Sequence, residues 1–339
     1  MFKYILKRLL LIIPTLIGIT VACFVITITA PGGPIEQKLA QLRFAGGGES
    51  NQSSSGNDYG VPQEVIDNLK KQYGFDKPIP IQYLIWLKNA VTFDFGDSFI
   101  HEEPVTQLIL ERVPISLQFG LISFILTYLV CITLGVAMAV RKDSLFDISS
   151  SIVLIVLYSI PSLMLGILLK VFAGGLWDLF PIGDLYSDMY FEKDFWARAL
   201  DRIHHFILPM LCYMIGSFTV LTQFMKNSLL EEINKDYVKT ARAKGLSKKV
   251  VHYKHALRNA LVPIATSLGN IFGIFLAGSI IIEKIFNIPG IGLLALDSAT
   301  ARDYNVIMAL IFIQSLIFIA GRIASDLIYV VIDPRIDFS

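Results

Sequence analysis

VPISLQFGLISFILTYLVCITLGVAMAV, Val113–Val140, runs without a single Asp, Glu, Lys or Arg. A helix needs about 20 apolar residues to cross the hydrocarbon core of a bilayer, so this stretch predicts a membrane span. Working outward, five more runs lack those residue types: Leu9–Ala30, Ile148–Leu169, Ile203–Met225, Asn259–Ile282 and Tyr304–Gly321. The last is short, but its apolar pattern continues past Arg322 and Asp326 to Ile332. Lipid offers no hydrogen bonds to a backbone, and helices satisfy their own. The expectation is an all-α integral membrane protein with six transmembrane helices. Composition agrees: 17% of the 339 residues are charged, against about a quarter in soluble domains.

Charge orients the spans. Lys3, Lys7 and Arg8 precede the first, and Arg141 and Lys142 follow the second. Nine basic residues (Lys226, Lys235, Lys239, Arg242, Lys244, Lys248, Lys249, Lys254 and Arg258) crowd between the fourth and fifth. Residues 31–112 and 174–202 lean acidic. Basic loops stay in the cytoplasm, so both termini and the loop of nine are expected inside. The apolar stretch after Arg8 exceeds a signal peptide's core and lacks a small-x-small cleavage site, so it reads as a retained anchor. Cys23, Cys131 and Cys212 fall within spans at no metal or disulfide spacing and read as packing residues.

The segment after the first span is long. Phe44–Gly60 is rich in Gly, Ser and Asn and reads as a loop. Pro62–Gly74 reads as a short helix. Ile79–Gly96 is aromatic and amphipathic, expected on the outer membrane surface or packed on the spans' outer ends. Pro14, Pro161 and Pro209 can kink their helices. Arg322 and Asp326, four apart, can pair.

The basic loop has internal order. Tyr237–Lys244 reads as a short helix, broken at Gly245, the residue that accepts a left-handed backbone. Ser247 is a good N-cap for a second helix. At helical spacing, Val250, Tyr253, Leu257 and Ala260 form its apolar stripe, and Pro263 starts the next span. A basic loop drawn to anionic lipid would explain the charge. A helix–Gly turn–helix with an apolar stripe points instead to docking in a partner's groove.

"TARAKGLSKK…HALRNALVP" resembles the coupling loop of permease subunits of ATP-binding-cassette importers, in its peptide-permease form. Family loops often read Glu-Ala-Ala with Gly four residues after the last Ala. Lys239, Thr240 and Ala241 occupy those positions, and Gly245 matches. "YILKRLLLIIPTLIGI", "YGFDKPIPIQY", "FDFGDSF", "RVPISLQFG", "IFNIPGIGLL" and "DPRIDF" resemble further family segments along nearly the whole chain. "APGGP" at Ala30–Pro34, where dipeptide and oligopeptide permeases usually carry Pro-Gly-Asp-Pro, resembles the first permease of the Yej-type branch.

The resemblance implies a single transmembrane domain over 1–339. It would comprise an anchor helix at 9–30, an external loop region at 31–112, a core at about 113–332, and a cytoplasmic coupling loop at 229–262. Residues implied to meet the ATPase are Lys239, Thr240, Ala241, Arg242, Ala243, Lys244, Gly245, Ser247, His255, Arg258 and Asn259. Implied partners are a second homologous permease, a cytoplasmic ATPase, a periplasmic solute-binding protein and a peptide substrate, possible substrates including microcin C-like antibiotics. No nucleic-acid partner is implied.

Glu283 and the turn formers Asn287, Pro289, Gly290 and Gly292 form either an ordinary external loop or, as in the family, an external gate. No Gly-x-x-x-x-Gly-Lys-Ser/Thr occurs, so ATP and Mg are expected on the partner and no cofactor on this chain. His101–Val105 begins like a zinc-protease helix, but Val105 replaces the second His and Pro104 breaks it. His204 and His205 read as interfacial polar residues. An ion-driven secondary transporter is the alternative. It would bring inverted repeats and midplane carboxylates, and neither is visible.

Overall fold

A computed structural model describes residues 2–29, 77–267 and 279–332. The expected loop at Phe44–Gly60, the helix at Pro62–Gly74, the middle of the fifth apolar run and the C-terminal motif lie outside the described residues. The helices are α1 (Phe2–Thr29), α2 (Ile79–Val91), α3 (Val105–Val140), α4 (Leu145–Ser159) and α5 (Ser162–Leu168), the last continuing as a π-helix over Leu169–Leu176. There follow α6 (Phe195–Ile233), α7 (Asp236–Ala243) and α8 (Lys248–Val250). A second π-helix, Val251–Ala256, leads into α9 (Leu257–Ser267). The chain ends with α10 (Ile280–Ile285), α11 (Ile291–Thr300) and α12 (Tyr304–Ile332).

Among the described residues three helices are long and apolar enough to cross a membrane: α3, α6 and the Tyr304–Ile323 part of α12. The α4–α5 pair makes a fourth if its two limbs are one span. In α1 the apolar helix at Leu10–Ile26 is shorter. The described residues therefore display three or four of the six expected spans. The run Ile148–Leu169 is not the straight helix its length suggested, because α4 and the limb beginning at α5 are bent by 96°. Pro161 is the cause. Its ring disfavours the helical region at the preceding residue, and Ile160 takes φ −85°, ψ 119°. Pro14 and Pro209 sit inside unbroken helices.

The chain divides into two compact units. The first comprises Arg112–Leu293 with the chain from Ile317 on. In it α6, at 39 residues, is about 58 Å long at 1.5 Å per residue. That is nearly twice the ~30 Å hydrocarbon thickness, so the helix outruns the membrane. The start of α4 is fastened to it by Asp147 and Lys226, both largely buried and 2.5 Å apart. Ser144 caps α4 by accepting from the Asp147 N–H. His204 and His205 bond the carbonyls of Leu179 and Asp201.

The second unit comprises Phe2–Glu111 and Leu294–Leu316. Tyr83 and Trp86 of α2 pack on Phe24 of α1, and Trp86 also meets Phe312 of α12 edge-on. Thr20 and Tyr83 share a 2.9 Å hydrogen bond. The aromatic segment Ile79–Gly96 thus packs on helices, one of its two expected placements. Buried Asp303 caps α12 through the Val306 N–H and accepts from Ser98 at 2.5 Å. Arg322 lies over the Phe318 ring. The side chain of Asp326 is outside the described residues.

Candidate functional site

The basic helix–turn–helix begins where α6 stops. Asn234 and Lys235 turn the chain, and α7 carries Asp236 in its first turn and Arg242 in its last, each sign where the helix dipole favours it. Gly245 follows at φ +81°. A side chain there would meet no neighbour, so backbone conformation alone demands glycine. Ser247 stands at the N-cap position of α8, but its side chain makes no capping bond.

The inner face differs from the expected stripe. Val251–Ala256 is a π-helix, whose hydrogen bonds run i→i+5 and which inserts an extra residue into the turn. The buried positions become Val251, Ala256, Ala260 and Ile264. Of the expected stripe, Val250 and Tyr253 are 38% and 53% exposed, whereas Leu257 and Ala260 pack inward. This inner face packs on Val136 and Ala139 of α3, on Met225 and Leu229 of α6, and on Val238 and Ala241 of α7. The lever is therefore seated on the ends of two long helices rather than projecting from them.

Ala241 is thus a core residue and offers no surface to a partner. Lys239, Thr240, Arg242, Ala243, Lys244, Ser247, Arg258 and Asn259 are exposed, and His255 is half-buried. Lys239 pairs with Asp236, and the Thr240 hydroxyl donates to the Asp236 carbonyl. Arg242 lies 3.2 Å from His252 Nε2. Burial, with the positive charges of Arg242 and Lys248, holds the His252 imidazole below its usual range. Its neutral ring can then accept from Arg242. Sequence reasoning missed Glu232 and Tyr237, whose partners lie on neighbouring elements.

The second site is the turn after α10. It is no ordinary exposed loop: Glu283, Phe286, Ile288, Gly290, Ile291 and Gly292 are buried, and only Asn287 among the expected gate residues is exposed. Glu283 is 0% exposed. Its carboxylate accepts from Ser116 Oγ on α3 at 3.1 Å, Tyr213 Oη on α6 at 3.3 Å, Ser279 N at 3.2 Å and Leu293 N at 2.8 Å. All four donors are neutral, and they come from four stretches of chain. Gly290 is a glycine because this carboxylate leaves no room, and Gly292 because the backbone at Ser279 and Ile280 leaves none. A Cβ on Gly290 would stand 2.5 Å from Glu283 Oε2 and from Ser116 Oγ, and one on Gly292 2.7 Å from Ile280 N.

Further ties hold the turn from outside. Asn287, at φ 52°, donates to Asp184 at 2.5 Å, and the Asp184 N–H donates to the Phe286 carbonyl. Lys170 reaches the Ile285 carbonyl, and Arg112 reaches that of Pro289 at 3.4 Å. Residues distant in sequence converge here. Only Glu283 and the paired glycines could have signalled the site.

Comparison with known proteins bears on the chain as a whole. Residues 131–338 match the family of binding-protein-dependent transport system inner membrane components. The chain is 42% identical to the peptidoglycan transport system permease protein YejB of Agrobacterium fabrum, covering 100% of this chain and 99% of the relative. It is 40% identical to the inner membrane ABC transporter permease protein YejB of Escherichia coli O157:H7, with the same coverage. It is 35% identical, over the whole of both chains, to the oligopeptide transport system permease protein AppB of Bacillus subtilis.

Proposed function

This chain belongs to the family of binding-protein-dependent transport system inner membrane components, and from that premise we propose that it is a permease subunit of an ATP-binding-cassette importer for peptides. The observation that carries the reading is end-to-end identity to peptide permeases, together with a basic lever seated on two long helices. ATP hydrolysis belongs to a partner subunit, which would hold ATP and Mg. The ion-driven alternative gains nothing from these relatives.

In this reading the chain crosses the inner membrane several times with both termini cytoplasmic, as one transmembrane domain. A second, homologous permease completes the channel, and a periplasmic binding protein delivers the substrate. One relative described above is named for peptidoglycan transport, and microcin C-like peptides fit the same branch. The ATPase grips the exposed face of residues 236–259. Lys239, Arg242, Lys244 and Arg258 supply charge there, and Val250 and Tyr253, turned outward by the π-turn, supply apolar contact. ATP binding then biases a two-state membrane element through the lever. The Glu283 turn serves as the external gate.

Co-expression with the cognate ATPase, second permease and binding protein tests this. A stable complex is expected, with ATP hydrolysis stimulated by loaded binding protein and ATP-dependent peptide uptake into proteoliposomes. Uptake by this chain alone, driven by a proton gradient, would overturn it.

A further inference from the structure

The two limbs of the lever, outgoing and returning, meet at one carboxylate. Glu232 lies in the last turn of α6 and is largely buried. Tyr237, at the start of α7, donates its hydroxyl to Glu232 Oε2 at 2.5 Å. Asn259, on α9, has its side chain beside both the Glu232 carboxylate and the Tyr237 hydroxyl. Lys235 donates to Oε1. One turn earlier, Ser228 Oγ donates to the Ala260 carbonyl at 2.8 Å. The limbs also pack on α6 through apolar side chains, which fix separation better than rotation. A directional hydrogen-bonded node fixes rotation as well.

We propose that Glu232, acting through Tyr237 and Asn259, is the positioning residue that locks the lever to α6 so that displacement of one moves the other. The inference rests on the importer reading above and deepens it. Lys235 contributes little, since its half-exposed ammonium is screened by water. The neutral donor Tyr237 carries the node, with Asn259 beside it. A residue of this kind should act on the ratio of peptide moved to ATP hydrolysed, and leave assembly with the ATPase intact.

The test is a double-mutant cycle with Glu232→Gln and Tyr237→Phe in the complete reconstituted complex, following uptake and ATP hydrolysis together. Removing a single hydrogen bond of the Glu232 node should lower the peptide-to-ATP ratio about threefold to tenfold. The double variant should fall no further than the worse single variant, because coupled residues act as a unit. Spin labels on Lys244 and on an exposed site of α6 should show a broadened distance distribution in each variant. A ratio within twofold of the parent complex in Tyr237→Phe, or strictly multiplicative losses, would overturn the inference. So would an unchanged distance distribution. If Glu232→Gln fails to assemble, Tyr237→Phe, which removes only a hydroxyl, decides by the same criteria. A parent complex without ATP-dependent uptake would sink the importer reading itself, whereas normal parent uptake with indifferent variants sinks only the role of Glu232.

Discussion

The lever and the gate turn are each organised by a glutamate, and the two are built differently. Glu232 sits at the edge of solvent, with one half-exposed cation and two side chains of the lever as partners. Glu283 is sealed, and its four partners are neutral hydroxyls and backbone N–H groups. At Glu232 water can replace part of a lost partner. A fully buried carboxylate has no such recourse, since every lost partner is an unsatisfied group in a medium that offers no replacement. The lever, in the proposal above, moves with α6, and the Glu283 turn is tied to the segments of α3 and α6 that hold it.

The sharpest way to break this comparison is Glu283→Ala. It strands Ser116, Tyr213 and two N–H groups and leaves a cavity, and should destabilise the protein by about 3 kcal/mol or more. Thermal unfolding of the complex in nanodiscs should show a clear fall in midpoint and loss of uptake, with Glu283→Gln less affected. A stable, active Glu283→Ala protein would mean the gate turn is held by packing alone. Next comes Gly290→Ala, whose methyl collides with the Glu283 carboxylate and Ser116. Overpacking of this kind costs about 1–3 kcal/mol, read by the same melting experiment.

On the lever side the effects should be smaller and local. Gly245→Ala forces a side chain into a left-handed backbone at about 1–2 kcal/mol. Membrane insertion and melting should stay near the parent values. Binding-protein-stimulated ATP hydrolysis should become uncoupled from uptake, and Gly245→Pro, which cannot take that backbone at all, should do so more completely. The smallest effect is that of pH on His252. Its imidazole is held low in the folded lever, so as pH falls through about 6.5 the unfolded segment takes up a proton first. Lever stability should therefore decline there, and level off once the folded imidazole also protonates. Hydrogen exchange of residues 248–256 at pH 7.5 and 5.5 should show the loosening, and His252→Gln should abolish its pH dependence.

How much of this was legible in the sequence differs between the two regions. The helix–Gly–helix of the lever was readable because each signal is local: a glycine where φ turns positive and a serine at a cap position. Which residues of the second limb turn inward was not, because a 3.6-residue period cannot anticipate the π-turn at Val251–Ala256, which buries Val251 and Ala256 and leaves Val250 and Tyr253 outside. Pro161 announced a possible kink, but not a bend of 96°. The Glu283 turn read as either an ordinary external loop or an external gate, and its burial was not legible because its partners lie far away, Ser116 being 167 positions distant.

The sequence by itself determined that this is a helical membrane protein with a basic lever between apolar runs. Charge-free length against hydrocarbon thickness, and backbone preferences at Gly245, are properties of short segments. Tertiary structure alone decided which side of the lever is buried, that Glu232 closes its two limbs, and that Glu283 is sealed. Those outcomes depend on which donors and methyl groups from distant segments arrive at the same place, and no local preference encodes that.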